Sequence, residues 1–429
     1  MACEMTSYRG KTILPRYVWI DDKLEENVSV AVDGNGVITE VGGLIPYDVV
    51  RLENEVIVPG FVNAHSHAFH RHLRGRSEIG GKSADTFWKW RDNMYALVDG
   101  ITADRLYEYC HSTFREMIEA GITTVGEFHY VHHGHGRFDL DAAVLKAAKD
   151  AGIRITLIQT FYEFAGFDRP PLHPVQDRFV STYEEFIGNL NELLKLTDET
   201  VDIAVAAHSA RAVSFENIKK LYAFAVEKNI AFHIHLEEQP KEIQDCARYL
   251  GQKKSPSDVL LEDLEIGRLF SAVHATYTPL PNVVELTKRG ANIVICPCTE
   301  GYLGDGIPHI TENENISFGT DCNNRISFLE EMRWACYSQQ MRQNSRSVGG
   351  LTAARLLNLA TAGGARSLAI DDKVGRIEAG KQLDFVSFDL RSSLLAGLNA
   401  DTLIDGVVFS CGNREVSKVV IAGITRFTR

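Results

Sequence analysis

The chain has 429 residues, of which 45% are hydrophobic and 24% charged, the balance of a soluble protein with a large core and more than one ordinary domain of length. Its formal net charge of -12 argues against nucleic acid or an anionic membrane as the main partner, since both need a basic surface. An anionic substrate must therefore be held by locally placed arginines, against the field of the whole molecule.

Met1-Ala2-Cys3-Glu4-Met5 has no basic segment leading into an apolar core, so no secretory signal is expected, and no apolar run approaches a bilayer span. The eight cysteines are scattered except for Cys296-Pro297-Cys298, which lacks the second pair of a structural zinc site. Buried thiols and a cytoplasmic location are the expectation.

Residues 1–58 read as short strands and turns: 12–20, 28–32, and a hairpin through Asp33-Gly34-Asn35-Gly36 into 37–41. They form the N-terminal part of a small antiparallel β domain. From 59 to 370 the texture changes to amphipathic helices (141–151, 183–196, 215–228) alternating with short apolar strands. One strand ends at His65, and others fall at 123–127, 153–158, 201–205, 231–235, 272–274, 293–296 and 316–320. Eight strands with helical returns predict an α/β fold, a closed (β/α)8 TIM-like barrel. Residues 371–429 return to strand texture at 383–388, 406–410 and 416–421. Together the two termini are expected to close one discontinuous β-sandwich domain.

The barrel begins with Val58-Pro59-Gly60-Phe61-Val62-Asn63-Ala64-His65-Ser66-His67. Alternate residues of a strand point the same way, so His65 and His67 leave one strand end side by side, as two ligands of one metal do. An isolated His-x-His is more often a pair of surface histidines in a turn. Here, however, three further strand ends carry matching residues: His235, followed by Glu238; His274; and Asp321 after the run 316–320. Catalytic residues of a barrel sit at these C-terminal ends. Three imidazoles and a carboxylate form a set suited to Zn²⁺, one ion per subunit, although another divalent metal is open. A metal so held makes water a nucleophile near neutral pH. Glu238 is placed to move protons, His274 to stabilise charge on a tetrahedral carbon, and Asp321 to take a proton while staying near the metal. No lysine ends the strand near Ala206, where a two-metal site often uses one; His208 stands there instead. One metal is the expectation.

These residues resemble the single-metal deaminase branch of the amidohydrolase superfamily, and more closely the formimidoylglutamate deiminase family. The similarity runs over nearly the whole chain, through Thr86-Phe87-Trp88-Lys89-Trp90-Arg91, Glu127-Phe128-His129-Tyr130-Val131-His132-His133 and His208-Ser209-Ala210-Arg211. It continues through His233-Ile234-His235-Leu236-Glu237-Glu238-Gln239 and Glu300-Gly301-Tyr302-Leu303-Gly304-Asp305-Gly306-Ile307. The resemblance implies hydrolysis of the formimino C=N group of an acidic amino-acid derivative, N-formiminoglutamate or a close analogue, by a homodimer of histidine degradation. Arg91 and Arg211 then become candidate carboxylate clamps, because a guanidinium grips a carboxylate in two places. Tyr130 and His208 are further substrate-binding candidates. His70 replaces a usual Gln, Cys322-Asn323 replaces Ser-His, and Arg325 and Tyr277 also depart from the family pattern; His70 and Asn323 join the substrate-binding candidates on that ground. Two rival readings are deamination of a purine- or pterin-like heterocycle on the same metal site, and a non-catalytic scaffold. The pair of arginines argues against the first, and the complete ligand set against the second.

Overall fold

The computed structural model of the protein describes residues 6–76, 86–310, 312, 315–346 and 348–429, with the backbone alone for 86–89. Met1–Met5, where no secretory signal is expected, lies outside the described residues.

Two sheets share the chain. Strands β1 (Thr12–Ile20), β2 (Lys23–Glu26), β3 (Val30–Val32), β4 (Ile38–Val41) and β5 (Val50–Pro59) come from the N-terminal part. The barrel follows with β6 (Phe61–Ser66), β7 (Ile122–His129), β8 (Arg154–Phe161), β9 (Val201–Ser209), β10 (Phe232–Leu236), β11 (Phe270–His274), β12 (Asn292–Ile295) and β13 (Ile316–Phe318). The C-terminal strands are β14 (Phe385–Asp389), β15 (Val416–Ile421) and β16 (Ile424–Thr428). The terminal strands form one sheet in the order β16-β15-β14-β5-β1-β3-β4, with β2 paired to β1. Its pairings are antiparallel except for β1 with β5. The second sheet runs from β6 to β13 in chain order with every neighbour parallel, the eight βα units read from the sequence.

The barrel closes between its first and last strands, at the residues of greatest chemical interest. The His67 N–H donates to Asp321 O (2.9 Å) and the Thr320 N–H to His65 O (3.0 Å). This seam needs Gly319: a Cβ there would lie 2.8 Å from His65 Cβ and 2.9 Å from Cys296 Sγ. Both β7 and β8 are buried along their whole length, since helices cover one face and the barrel interior the other. A single residue, Gly60, separates β5 from β6, so the terminal sheet leads directly into the barrel; a Cβ there would strike Thr123 at 2.2 Å. A buried ion pair, Arg154 Nε to Asp384 Oδ2 at 3.1 Å, joins the start of β8 to the segment before β14.

The helix Phe215–Lys228 shows how local sequence sets these elements. Ser214 caps it by accepting the Asn217 N–H, and Asn229 ends it in the left-handed region (φ 52°). One reading fails. Residues 406–410, expected as a strand, belong to the helix Leu403–Ser410, which packs on the barrel-side helices Phe328–Gln343 and Ala353–Asn358. Leu403, Ile404, Val407 and Val408 are buried, a helical stripe that tertiary packing selects over the strand preference of the Val-Val-Phe run. The described cysteines are buried and unpaired, Cys296 and Cys298 included. Among the described residues no helix is long and apolar enough to cross a membrane.

Candidate active site

At the barrel seam the four expected metal ligands fall into two groups that share His65: His65, His67 and Asp321, and His65 and His235 with His274, each with its ligand atoms within 4.8 Å of one another. His65 Nε2 and His67 Nε2 each lie 3.4 Å from Asp321 Oδ1, and His65 Nε2 lies 3.2 Å from His235 Nε2. The second nitrogen of two rings is engaged by the backbone: His67 Nδ1 donates to Phe128 O and His235 Nδ1 to His208 O, both at 2.9 Å. These carbonyls fix the tautomer and turn the Nε2 lone pairs inward, the outer-shell pattern of metal-binding histidines. His233, two residues before His235 on the same face, is bonded instead to Ser367 O (2.9 Å).

The electrostatics fit a dication. Burial lowers His65 to about 3 and also depresses His67 and His235, so these rings are neutral at pH 7. Burial would raise Asp321, but the bond to His65 and the neighbouring imidazoles outweigh it and hold the carboxyl well below its usual range. With Nδ1 of His67 and His235 turned to carbonyls, their Nε2 lone pairs face the space beside His65 and Asp321, an arrangement that suits a cation. His65, His67, His235 and Asp321 would hold that ion, and their nitrogen-rich donor set suits Zn²⁺.

Glu238 and His274 lie beside this cluster. Glu238 Oε1 lies 3.9 Å from His274 Nε2, and Glu300 Oε1 lies 3.5 Å from His274 Nδ1. Burial alone would lower His274, yet the charge of Glu238 and the contact with Glu300 raise it to about 10. His274 (φ 68°) and Asp321 (φ 42°) both adopt left-handed backbone conformations, which cost about 1–3 kcal/mol each and concentrate at functional sites.

A cavity of about 770 Å³ opens over this cluster and receives His67, His235, His274, Asp321 and Glu238. Of the substrate-binding candidates, Arg91, Tyr130, His208, Arg211 and His70 also line it. The Tyr130 hydroxyl and His70 Nε2 share a 2.9 Å hydrogen bond, and the His208 ring lies 4.9 Å from that of His235. The Arg91 guanidinium lies 5.6 Å from the Tyr95 ring centre. Arg211 Nη1 donates to Glu242 Oε2 at 2.9 Å, and its Nη2 lies 3.8 Å from Glu238 Oε2.

Asn323 is not brought to the cavity. Its buried side chain donates to Ser66 Oγ (3.1 Å), His67 O (2.9 Å) and Asp321 O (3.0 Å) and accepts from Thr320 Oγ1 (2.6 Å). The expected substrate residue therefore braces the barrel seam, and its left-handed backbone (φ 54°) turns it back under the ligands. Arg325 pairs with Glu330 (2.9 Å) at the surface, and Tyr277 is 39% exposed; neither lines the cavity.

Sequence reasoning missed Glu242 and gave no role to Glu300 and Asp305. Glu242 lies in the first turn of the helix Pro240–Leu250, where an acidic residue reads as ordinary dipole compensation. Burial raises it to about 7 although Arg211 pulls the other way. Asp305, whose carboxylate accepts from Gln239, is raised to about 9 by burial and then by the charge of Glu238. It belongs to the Leu-Gly-Asp-Gly-Ile run, whose resemblance was legible but whose role was not.

Residues 56–425 match the model of the amidohydrolase family, and the chain belongs to that family. It is a hydrolase of C–N bonds, of the deaminase kind. It is 32% identical over 413 residues to a formimidoylglutamate deiminase of Pseudomonas aeruginosa, covering 92% of this chain and 90% of that protein. A 5'-deoxyadenosine deaminase of Methanobrevibacter smithii is 25% identical over 384 residues, covering 87% and 82%. Among solved structures, an amidohydrolase from Brucella melitensis superposes with a TM-score of 0.87 at 29% identity, over 97% of this chain and 94% of that one. An adenosine deaminase from Xanthomonas campestris with bound zinc shares the fold at a TM-score of 0.82 and 24% identity, over 98% and 93%.

Proposed function

We propose that the protein is a zinc-dependent iminohydrolase that converts N-formimino-L-glutamate, or a close acidic analogue, into the N-formyl amino acid and ammonia. The observation that carries this reading is the union, in one cavity, of the three-histidine, one-aspartate cluster with two guanidiniums, Arg91 and Arg211. A neutral heterocycle has no use for that pair of cations, whereas a dicarboxylate needs fixed positive charge at both ends. The 32% identity to a formimidoylglutamate deiminase supports the same choice.

When bound, the zinc ion supplies Lewis acidity and lowers the pKa of water towards about 7. The chain supplies the rest. Arg91 and Arg211 hold the carboxylates and place the formimino carbon over the histidine cluster. Glu238 carries one proton of the attacking water to the terminal nitrogen. Asp321 takes the second as the formyl C=O forms and returns it to the same nitrogen, which thereby gains the two protons it needs to leave as ammonia. His274 stabilises the charge that develops on oxygen while the carbon is tetrahedral. The carbon–nitrogen bond to the terminal nitrogen breaks, and ammonia departs.

Steady-state ammonia release from formiminoglutamate, formiminoaspartate and a purine panel tests the reading. A high kcat/KM on one formimino acid and none on purines is expected. The adenosine-type relatives and the aromatic rings of Trp90, Tyr162 and Phe179 in the cavity favour a second reading, deamination of a heterocycle. Turnover of a purine alone would establish it in place of the first.

A further inference from the structure

Beside the active site the barrel holds a second buried trio of the same residue types, His129, His132 and Asp141, with ligand atoms within 4.8 Å of one another. By composition it too could take a metal. Its hydrogen bonds say otherwise. Asp141 Oδ1 accepts from His129 Nε2 and His132 Nδ1, both at 3.0 Å. Asp141 Oδ2 accepts the amide N–H groups of Gln159 (2.7 Å) and Asn189 (2.8 Å). Four donors occupy the lone-pair directions of one carboxylate and leave none for an ion. Gln159 Nε2 also passes 3.3 Å from His132 Nδ1, as two donors converging on the same carboxylate.

His132 decides its own state. Its Nε2 lies 2.8 Å from Thr160 O, a carbonyl that only accepts, while its Nδ1 faces the carboxylate. A ring with acceptors at both nitrogens carries a proton on each, unless a metal replaces one of them. Burial would raise Asp141, but the charge of His132 and the bonds from both rings hold it well below its usual range.

The trio is also tied to the active site through the chain. His129 ends β7, between Phe128, whose carbonyl orients the metal ligand His67, and Tyr130, which lines the cavity and bonds His70. Gln159 and Thr160 belong to β8, Asn189 to the helix Tyr183–Leu194, and Asp141 opens the helix Asp141–Ala151. The network thus pins the end of β7 to three neighbouring elements.

We propose that His132 is a buried imidazolium locked on Asp141, rather than a ligand of a second metal, and that this lock is a positioning device for Phe128 and Tyr130. Nitrogen-15 histidine NMR of the zinc-loaded protein tests the first part without any substrate. The His132 resonances, assigned with a His132→Gln variant, should show two slowly exchanging ring N–H protons at pH 7. Added zinc should leave both in place, at about one equivalent of metal per chain. A single N–H, or a second equivalent that removes the Nδ1 proton, would overturn the imidazolium.

The positioning part is read in Asp141→Asn by chelator competition. Zinc affinity should fall by about three- to tenfold, short of the 10–100-fold typical when a group that directly orients a ligand is lost. The control is Arg154→Met, which breaks a buried ion pair at the opposite end of β8 and should lower Tm without changing zinc affinity. Equal zinc affinities in the two variants would sink the positioning role. Because the substrate rests on the reading proposed above, KM serves only as a supporting measure. On formiminoglutamate, Asp141→Asn should raise KM about tenfold alone but less than about twofold in a Tyr130→Phe background, the non-additivity of coupled residues. Failure of every formimino acid to turn over, with two N–H protons and weakened zinc binding observed, would remove the proposed reaction and leave the lock standing.

Discussion

Two buried sites in this barrel are built from histidine and aspartate, and they differ in what faces the histidine nitrogens. In His65, His67, His235 and Asp321 the rings turn Nε2 towards one another, with His65 and His235 at 3.2 Å, because backbone carbonyls engage Nδ1 of His67 and His235. In His129, His132 and Asp141 each ring turns an N–H onto the carboxylate, which Gln159 and Asn189 then saturate. The first arrangement leaves lone pairs without donors, and the second leaves no lone pair over. Residue type is therefore a poor guide to a metal site. The partner of the second ring nitrogen is the better one, and so is access: His67, His235 and Asp321 line the cavity, whereas His129, His132 and Asp141 do not.

The largest effect that would separate the two sites is loss of an aspartate. Asp321→Ala should leave less than about a tenth of an equivalent of zinc and lower turnover by on the order of 10³-fold or more, since the ionised water is lost. Asp141→Asn should still load zinc. Inductively coupled plasma analysis of both variants checks this, and similar metal loss in each would erase the distinction. Next, Glu238→Gln should keep its zinc and lose about 10²–10⁴-fold in kcat, the usual contribution of a proton carrier. A normal rate in that variant would remove Glu238 from the chemistry.

A smaller effect is expected from the clamp. Arg211→Ala should cost about 10–100-fold in kcat/KM on a dicarboxylate, as hydrogen bonds to charged groups are worth about 1.5–3 kcal/mol, and much less on a monocarboxylate analogue. Equal losses on both would contradict the clamp. The smallest concerns Glu242, which burial raises to about 7. Below that value it is protonated and leaves the Arg211 charge to the substrate; above it the carboxylate competes. KM for a dicarboxylate should therefore rise a few-fold from pH 6 to pH 8, and Glu242→Gln should flatten the profile. An unchanged slope in that variant would assign the dependence to another group.

The histidine–aspartate cluster was legible because a barrel converts chain order into convergence. Once β6, β10, β11 and β13 are recognised, the residues at their ends must meet at one rim, however far apart they lie in sequence. The environment of each side chain was less legible. Asn323 follows Asp321 by two residues and read as a substrate contact, yet a left-handed turn folds it under the seam. Glu242 drew no reading from the sequence, yet it grips Arg211, thirty-one residues away in the chain. The Val407-Val408 pair read as strand and packs as helix, because its apolar stripe is buried against the helices Phe328–Gln343 and Ala353–Asn358.

The sequence by itself therefore determined the architecture and which residues gather at the barrel rim, through period-two and helical patterns that act over a few residues and through polar groups at strand ends. Tertiary structure alone decided which histidines present lone pairs and which carry protons, and that Arg211 is paired with Glu242. Those properties depend on acceptors and charges supplied by distant segments, and no local pattern encodes them.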